Sequence, residues 1–166
     1  YFYTSTWREQ KKVLKKKDLE LFMRDRGSKI DLLNLQWIYR AKKYYNMKPA
    51  DIYLMLIPIH YKLSTDLVKE LVEAPGLEEF EAAVARTYYA RHYNLHQDLT
   101  IEQMYADCLH HLYTVDRRRD PYSVAAINTY LFLKEEEINK LTTAMECVRY
   151  GLSPGETAAY VGGKTQ

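Results

Sequence analysis

The chain has 166 residues, 47% of them hydrophobic, with 24 Lys and Arg against 22 Asp and Glu for a formal charge of +2. That is apolar material enough for one ordinary domain or two small ones, and the near-neutral total excludes a global field that would demand nucleic acid or an anionic bilayer as partner. No stretch approaches the roughly 18 to 20 uninterrupted apolar residues of a membrane span, since the strongest run, 52–59, is broken by Pro58.

Gly and Pro are scarce, at 6 and 5, and they stand at plausible helix borders, so the class expected is all-α: long antiparallel helices in repeated helical bundles, each ending in a short Pro-initiated helix. A first helix is expected from about residue 5 into 21–22, with Lys15, Lys16 and Lys17 on a solvated face, and Gly27-Ser28 marks a break with Ser28 as cap. A second helix follows from Ile30, Leu33, Trp37, Tyr44 and Met47, which fall at three-four spacing with Arg40 interrupting them. Pro49 then opens a short helix, where its missing backbone donor costs nothing. Ser64 caps a helix buried through Leu67, Val68 and Leu71, and Leu77, Phe80, Val84 and Tyr88 mark another after Pro75-Gly76. Residues 92–99 read as a linker. Thr100 with Gln103 fits a capping box ahead of a helix over about 101–117. Asp120-Pro121 supplies a cap and a preorganised start for a last long helix to about residue 150, roughly 45 Å at the helical rise. Its Val124, Ile127, Leu131, Ile138, Leu141, Met145 and Val148 make an apolar stripe broken only by Lys134, the pattern of a seam packed against neighbouring helices. Gly151 ends that helix, and Ser153-Pro154 begins a short terminal one.

Chemistry-bearing patterns are weak. Cys108 and Cys147 are isolated, as expected of a reducing cytosolic compartment. His92 and His96 have the spacing of a helical metal pair but fall in the linker, and Cys108, His110 and His111 are close only in sequence, so no metal site is expected. Gly163-Lys164-Thr165 is like the end of a phosphate-binding loop, yet that motif's first glycine would fall at Ala158. No ordered Ser, His and acid set points to nucleophilic catalysis. Lys134 and Arg40 reach water along their stems or pair with an acid, and for Lys134 the acid on its own helix face is Glu137. The 16 tyrosines include Tyr44-Tyr45, Tyr88-Tyr89 and Tyr93 near helix ends, where such rings cover junctions or line interfaces.

An internal repeat organises the chain. Tyr45-Asn46-Met47-Lys48-Pro49-Ala50-Asp51 and Tyr150-Gly151-Leu152-Ser153-Pro154-Gly155-Glu156 preserve aromatic, turn residue, apolar anchor, Pro and acid in order. The same offset sets Leu33-Asn34 on Ile138-Asn139 and Asp31 on Glu136. Two helical-bundle repeats are expected, over 1–98 and 99–166.

The strings Leu33-Asn34-Leu35-Gln36-Trp37-Ile38-Tyr39-Arg40-Ala41-Lys42-Lys43-Tyr44-Tyr45, Asp120-Pro121-Tyr122-Ser123 and Tyr130-Leu131-Phe132-Leu133-Lys134-Glu135-Glu136-Glu137-Ile138-Asn139 resemble the repeat signatures of the C/d-type subunits of V/A-type (vacuolar and archaeal) rotary ATPases. So does Arg149-Tyr150-Gly151-Leu152-Ser153-Pro154. The similarity runs from about residue 30 onward; Thr142 and Thr143 depart from it, standing where the first repeat has Trp37 and Ile38. The family is built of three similar bundles. This chain holds about two, and with no initiator Met it is expected to be a fragment lacking the N-terminal repeat. The resemblance implies a non-catalytic coupling component without cofactor. It would seat the rotor shaft, made by the D and F subunits, on the proteolipid (c/K/L) ring, from the cytoplasmic face of the membrane. The residues add a contact hypothesis. Lys48, Pro49 and Asp51, with Ser153, Pro154 and Glu156, would offer the backbone donors and positive dipole ends of two helix starts to an acidic or carbonyl-rich loop. A helical adaptor of the solenoid type that binds peptides, and a nucleic-acid-binding helical module, are the alternatives.

Overall fold

A computed structural model describes residues 2–14, 16–93, 101–119 and 121–162. The described residues are all-α, without a strand. They divide into two compact units, Tyr1–Val115 and Asp116–Gln166.

The first unit is organised around one long helix. Helix α1 spans Phe2–Val13, and α2 runs unbroken over Lys16–Lys43, 28 residues, or about 42 Å at the helical rise. The corner between them falls at Lys16, whose φ of 47° lies in the left-handed region that L-residues seldom adopt. The break expected at Gly27-Ser28 is therefore absent, and the chain turns earlier. Glycine stands at position 27 because a neighbour lies against the helix there: a Cβ would meet Tyr61 Cβ and Cγ at 2.7 Å. Ser28 caps nothing; it is buried and hydrogen-bonds to Tyr89. Here the need for close packing overrides the low helix propensity of glycine.

Leu21, Phe22, Ile30, Leu32, Leu35, Ile38, Tyr39 and Ala41 bury the inner face of α2. Tyr44, expected on that stripe, is 61% exposed beyond the helix end. Trp7 of α1 meets Phe22 at 5.6 Å between ring centroids. Helices α3 (Pro49–Met55), α4 (Thr65–Glu73), α5 (Leu77–Ala85) and α6 (Tyr88–His92) follow. Their ends obey local chemistry. Ser64 Oγ accepts from Leu67 N at 3.2 Å, and Thr87 does the same for Ala90 N at 3.2 Å. Lys42 of α2 donates to Val72 O and Ala74 O, both at 2.7 Å, which places a cation on the C-terminal carbonyls of α4. Phe80 of α5 packs on Tyr39 of α2 at 6.0 Å. Tyr88, expected on one helix with Phe80, belongs to α6 because Arg86 and Thr87 separate the two. Helix α7 covers Ile101–Arg119, and Ile101, Met104, Cys108, Leu109 and Leu112 bury one face of it. The capping box that includes Thr100 lies outside the described residues, as do His96 and the stretch 163–165.

The second unit holds α8, Val124–Arg149, and α9, Pro154–Val161. The start of α8 differs from expectation. Ser123 is the cap, its side chain accepting from Ala125 N at 3.2 Å, while Pro121 lies in the preceding turn and Asp120 is outside the described residues. Ser123 stands two residues nearer the apolar run than Pro121, and its hydroxyl reaches a free backbone donor of the first turn there.

Candidate functional site

Both proline-led junctions are built to one plan. At the end of α2, Asn46 takes a φ of 45°, and at the end of α8 Gly151 takes 71°. These two residues are equivalent in the sequence repeat. Gly151 N donates to Val148 O and Leu152 N to Cys147 O, both at 3.0 Å, so two of the last carbonyls of α8 are satisfied within the turn. After α2 the closure is one residue wider, with Met47 N reaching Ala41 O at 3.0 Å. Pro49 and Pro154 then each occupy the first helical position of α3 and α9.

The two starts differ in how their donors are used. In α9, Ser153 Oγ accepts from Glu156 N at 3.4 Å, and Glu156 Oε2 accepts from Ser153 N at 2.8 Å. That reciprocal box holds the Glu156 carboxyl below its usual range, chiefly through the Ser153 side-chain bond. In α3 the cap position is Lys48, which makes no side-chain cap bond. Lys48, Pro49 and Asp51 fall on one turn, and Ser153, Pro154 and Glu156 on another, in separate units. In α3, Asp51 N and Ile52 N both donate to Lys48 O, at 3.0 and 3.1 Å, so a backbone carbonyl takes the place of the side-chain cap.

The stripe on α8 is the larger feature. Val124 is 39% exposed, Ile127 62%, Leu131 57%, Ile138 61%, Leu141 58%, and Met145 and Val148 72% each. The residues of α8 that are buried, Ala125, Thr129, Phe132 and Cys147, occupy the opposite face. The expected seam thus exists in pattern, and within the second unit it is uncovered. Lys134, the charge that interrupts it, pairs with Glu137 at 2.6 Å as its spacing predicts. Contiguous apolar surface on this scale marks a place where another polypeptide sits.

A buried polar network in the first unit escaped the sequence reading. Asp31, fully buried, accepts from Tyr61 N at 3.1 Å, Lys62 N at 2.6 Å, Leu63 N at 3.1 Å and Tyr89 Oη at 2.8 Å. Asn34, also fully buried, accepts from Ile57 N at 3.0 Å and donates to Ile57 O at 2.9 Å. Together they fasten the segment 57–63 along α2. Burial pushes the Asp31 carboxyl above its ordinary 3.8, against the pull of those four bonds. It also pushes the Tyr89 hydroxyl upward. The available signal was two short polar side chains interleaved with Ile30, Leu35 and Ile38. The polar atoms at this centre are spent on holding backbone, so its role is structural.

Among the described residues, nucleophiles and metal ligands do not gather. Burial, with Asp107 second, pushes the Cys108 thiol up to about 12, which leaves it protonated and unreactive near neutral pH. Among the described residues no three His, Cys, Asp or Glu side chains could together hold a metal ion. His92 instead stacks on Tyr88 at 4.8 Å, and His111 meets Tyr93 edge-on at 5.3 Å. Among the described residues no helix is long and apolar enough to cross a membrane. Comparison with curated proteins and with solved structures gave no match. A family model described as the ATP synthase (C/AC39) subunit matches residues 1–160.

Proposed function

Because the chain belongs to the ATP synthase (C/AC39) subunit family, that of a V/A-type ATPase component, we propose that it is a non-catalytic central-stalk coupling piece. In this role it links the rotor shaft of D and F subunits to the membrane proteolipid ring, from the cytoplasmic face. The uncovered apolar stripe of α8 carries this reading: an ATPase component that leaves seven large apolar side chains in water presents them to another polypeptide of the assembly. Stiffness fits the task. Helix α8, at 26 residues, is about 39 Å long, and α2 is longer still. A rod of either kind, fixed along one face by close-packed apolar side chains, transmits torque without sliding.

The matching left-handed residues and proline starts support two helical-bundle repeats, over 1–98 and 99–166, within this role. Lys48, Pro49 and Asp51, and Ser153, Pro154 and Glu156, are proposed as ring contacts.

Reconstitution tests the proposal. Full-length protein is mixed with D/F shaft and proteolipid ring, and assembly is followed by cosedimentation. We expect a stable complex, weakened by Leu131→Glu with Ile138→Glu and by Pro49→Ala with Asp51→Asn. Failure of the unaltered protein to associate with either partner would overturn the coupling role. Undiminished ring binding by the Pro49 and Asp51 variant would remove the contact assignment alone.

A further inference from the structure

Helix α1 sets Arg8, Lys11 and Lys12 one turn apart on one face. Beside them on the same helix, Tyr3 and Trp7 pack on Ile30, Ile57 and Ile59. The segment carrying Pro58, Ile59 and His60 is held to α2 by the Asn34 and Asp31 bonds. Between these two walls lies a cleft of about 570 Å³, within the range of small-molecule sites. Arg8, Lys11 and Lys12 line one side, His60 the other, and Met23, Pro58 and Ile59 add apolar surface. Among the described residues that line it there is no carboxylate.

The charge there is only partly cancelled locally. Glu9 beside the cleft pairs with Lys12 at 2.8 Å, and both side chains are about two-thirds exposed, 64% and 65%. Solvent screens such a pair, and it yields readily to a stronger anion. Lys11 sits over the Trp7 ring at 5.3 Å, a contact that leaves its ammonium donors available. Three cations against one neighbouring acid leave an excess suited to a dianion. A guanidinium matches two phosphate oxygens at once, and two ammonium groups supply point charges beside it. The indole and the apolar wall receive the uncharged body of a ligand. With a total formal charge of only +2, the protein attracts no extended polyanion, so the site fits a compact group.

We infer that this cleft binds a phosphate-bearing ligand, with Arg8, Lys11 and Lys12 holding the phosphate and Trp7 flanking it. The inference is independent of the coupling role. Its source is either a free phosphate ester or the headgroup of a phosphorylated lipid.

The test uses the full chain carrying Trp37→Phe, so that Trp7 alone fluoresces. It is titrated with inositol hexakisphosphate and with inorganic phosphate. Separately, it is mixed with phosphatidylcholine vesicles containing either phosphatidylinositol bisphosphate or phosphatidylserine. We expect a saturable fluorescence change with the hexakisphosphate that weakens as salt rises. Arg8→Gln with Lys11→Gln should reduce affinity at least about tenfold, the loss of one charge-assisted hydrogen bond or more. His60→Glu, on the opposite wall, should weaken it likewise, while Lys69→Gln with Lys140→Gln should leave it unchanged. Binding to the bisphosphate vesicles that the hexakisphosphate displaces supports the lipid source, and binding of the free ligand alone supports the soluble one. Equal binding by the Arg8 and Lys11 variant, a non-saturating titration, or equal binding to phosphatidylserine vesicles would overturn the site.

Discussion

Replacing Gly27 by Ala sets two physical effects against each other. In the middle of an exposed helix the change would stabilise by about 1 kcal/mol. Here the added Cβ would lie 2.7 Å from Tyr61 Cβ and Cγ. Neither atom is the tip of a flexible chain, so the backbone at Tyr61 has to move. Overpacking of this kind costs about 1 to 3 kcal/mol. The movement also stretches the bond from Tyr61 N to Asp31, now 3.1 Å, and a hydrogen bond to a charged acceptor contributes about 1.5 to 3 kcal/mol. The clash wins, with a net loss of about 1 to 3 kcal/mol. For a chain of this size that lowers Tm by roughly 3 to 10 °C. Urea unfolding followed through the tryptophans, Trp7 and Trp37, both in the first unit, measures it. In a Tyr61→Gly background the obstruction is gone, and Gly27→Ala should then be neutral or stabilising by up to about 1 kcal/mol. A Gly27→Ala protein as stable as the parent, with Tyr61 intact, would refute the close approach that explains the uninterrupted α2.

Asn34→Ala strands the buried N–H of Ile57, whose C=O keeps the bond from Ile59 N, and should destabilise by about 1 to 3 kcal/mol, measurable in the same unfolding assay; a loss within error would mean that segment 57–63 is held some other way. Since burial raises Asp31, the folded state holds its proton more tightly than the unfolded chain does. Its contribution is complete below pH 3.8 and declines as pH rises through the raised value, so the stability gap between wild type and Asp31→Asn should narrow over that window. A widening gap would mean that the four hydrogen bonds outweigh burial. Gly151→Ala puts a side chain into open space at φ 71°, so only backbone strain of about 1 kcal/mol opposes it; hydrogen exchange at the end of α8 should quicken, and unchanged protection would count against the left-handed closure. Leu131→Ser with Leu141→Ser, both more than half exposed, should change the stability of the chain alone by less than about 0.5 kcal/mol per site. A loss of about 2 kcal/mol or more at each, typical of core truncation, would show that the stripe is already covered.

Helix ends and their order were legible because capping is local. Ser64, Pro49, Ser153, Pro154 and Gly151 each act on donors or acceptors within a few residues, and the structure finds each where the pattern puts it. Ser123 displaces Asp120-Pro121 as the start of α8 by the same local chemistry, three residues further along the chain. The Lys134 pair with Glu137 was legible for the same reason. The repeat equivalence of Asn46 and Gly151 was also visible as a turn residue followed by an apolar anchor and a proline.

The sequence by itself determined an all-helical chain, the periods of its faces and the family signature. Only tertiary structure decided that Gly27 is a seat for Tyr61 and not a helix break, since the residue that needs the space arrives from a distant segment. It likewise decided that Asp31 and Asn34 turn inward to hold backbone, and that the α8 stripe lies open while the opposite face is buried. Periodicity records which side chains share a face, but whether water or protein meets that face depends on what the rest of the fold brings to it.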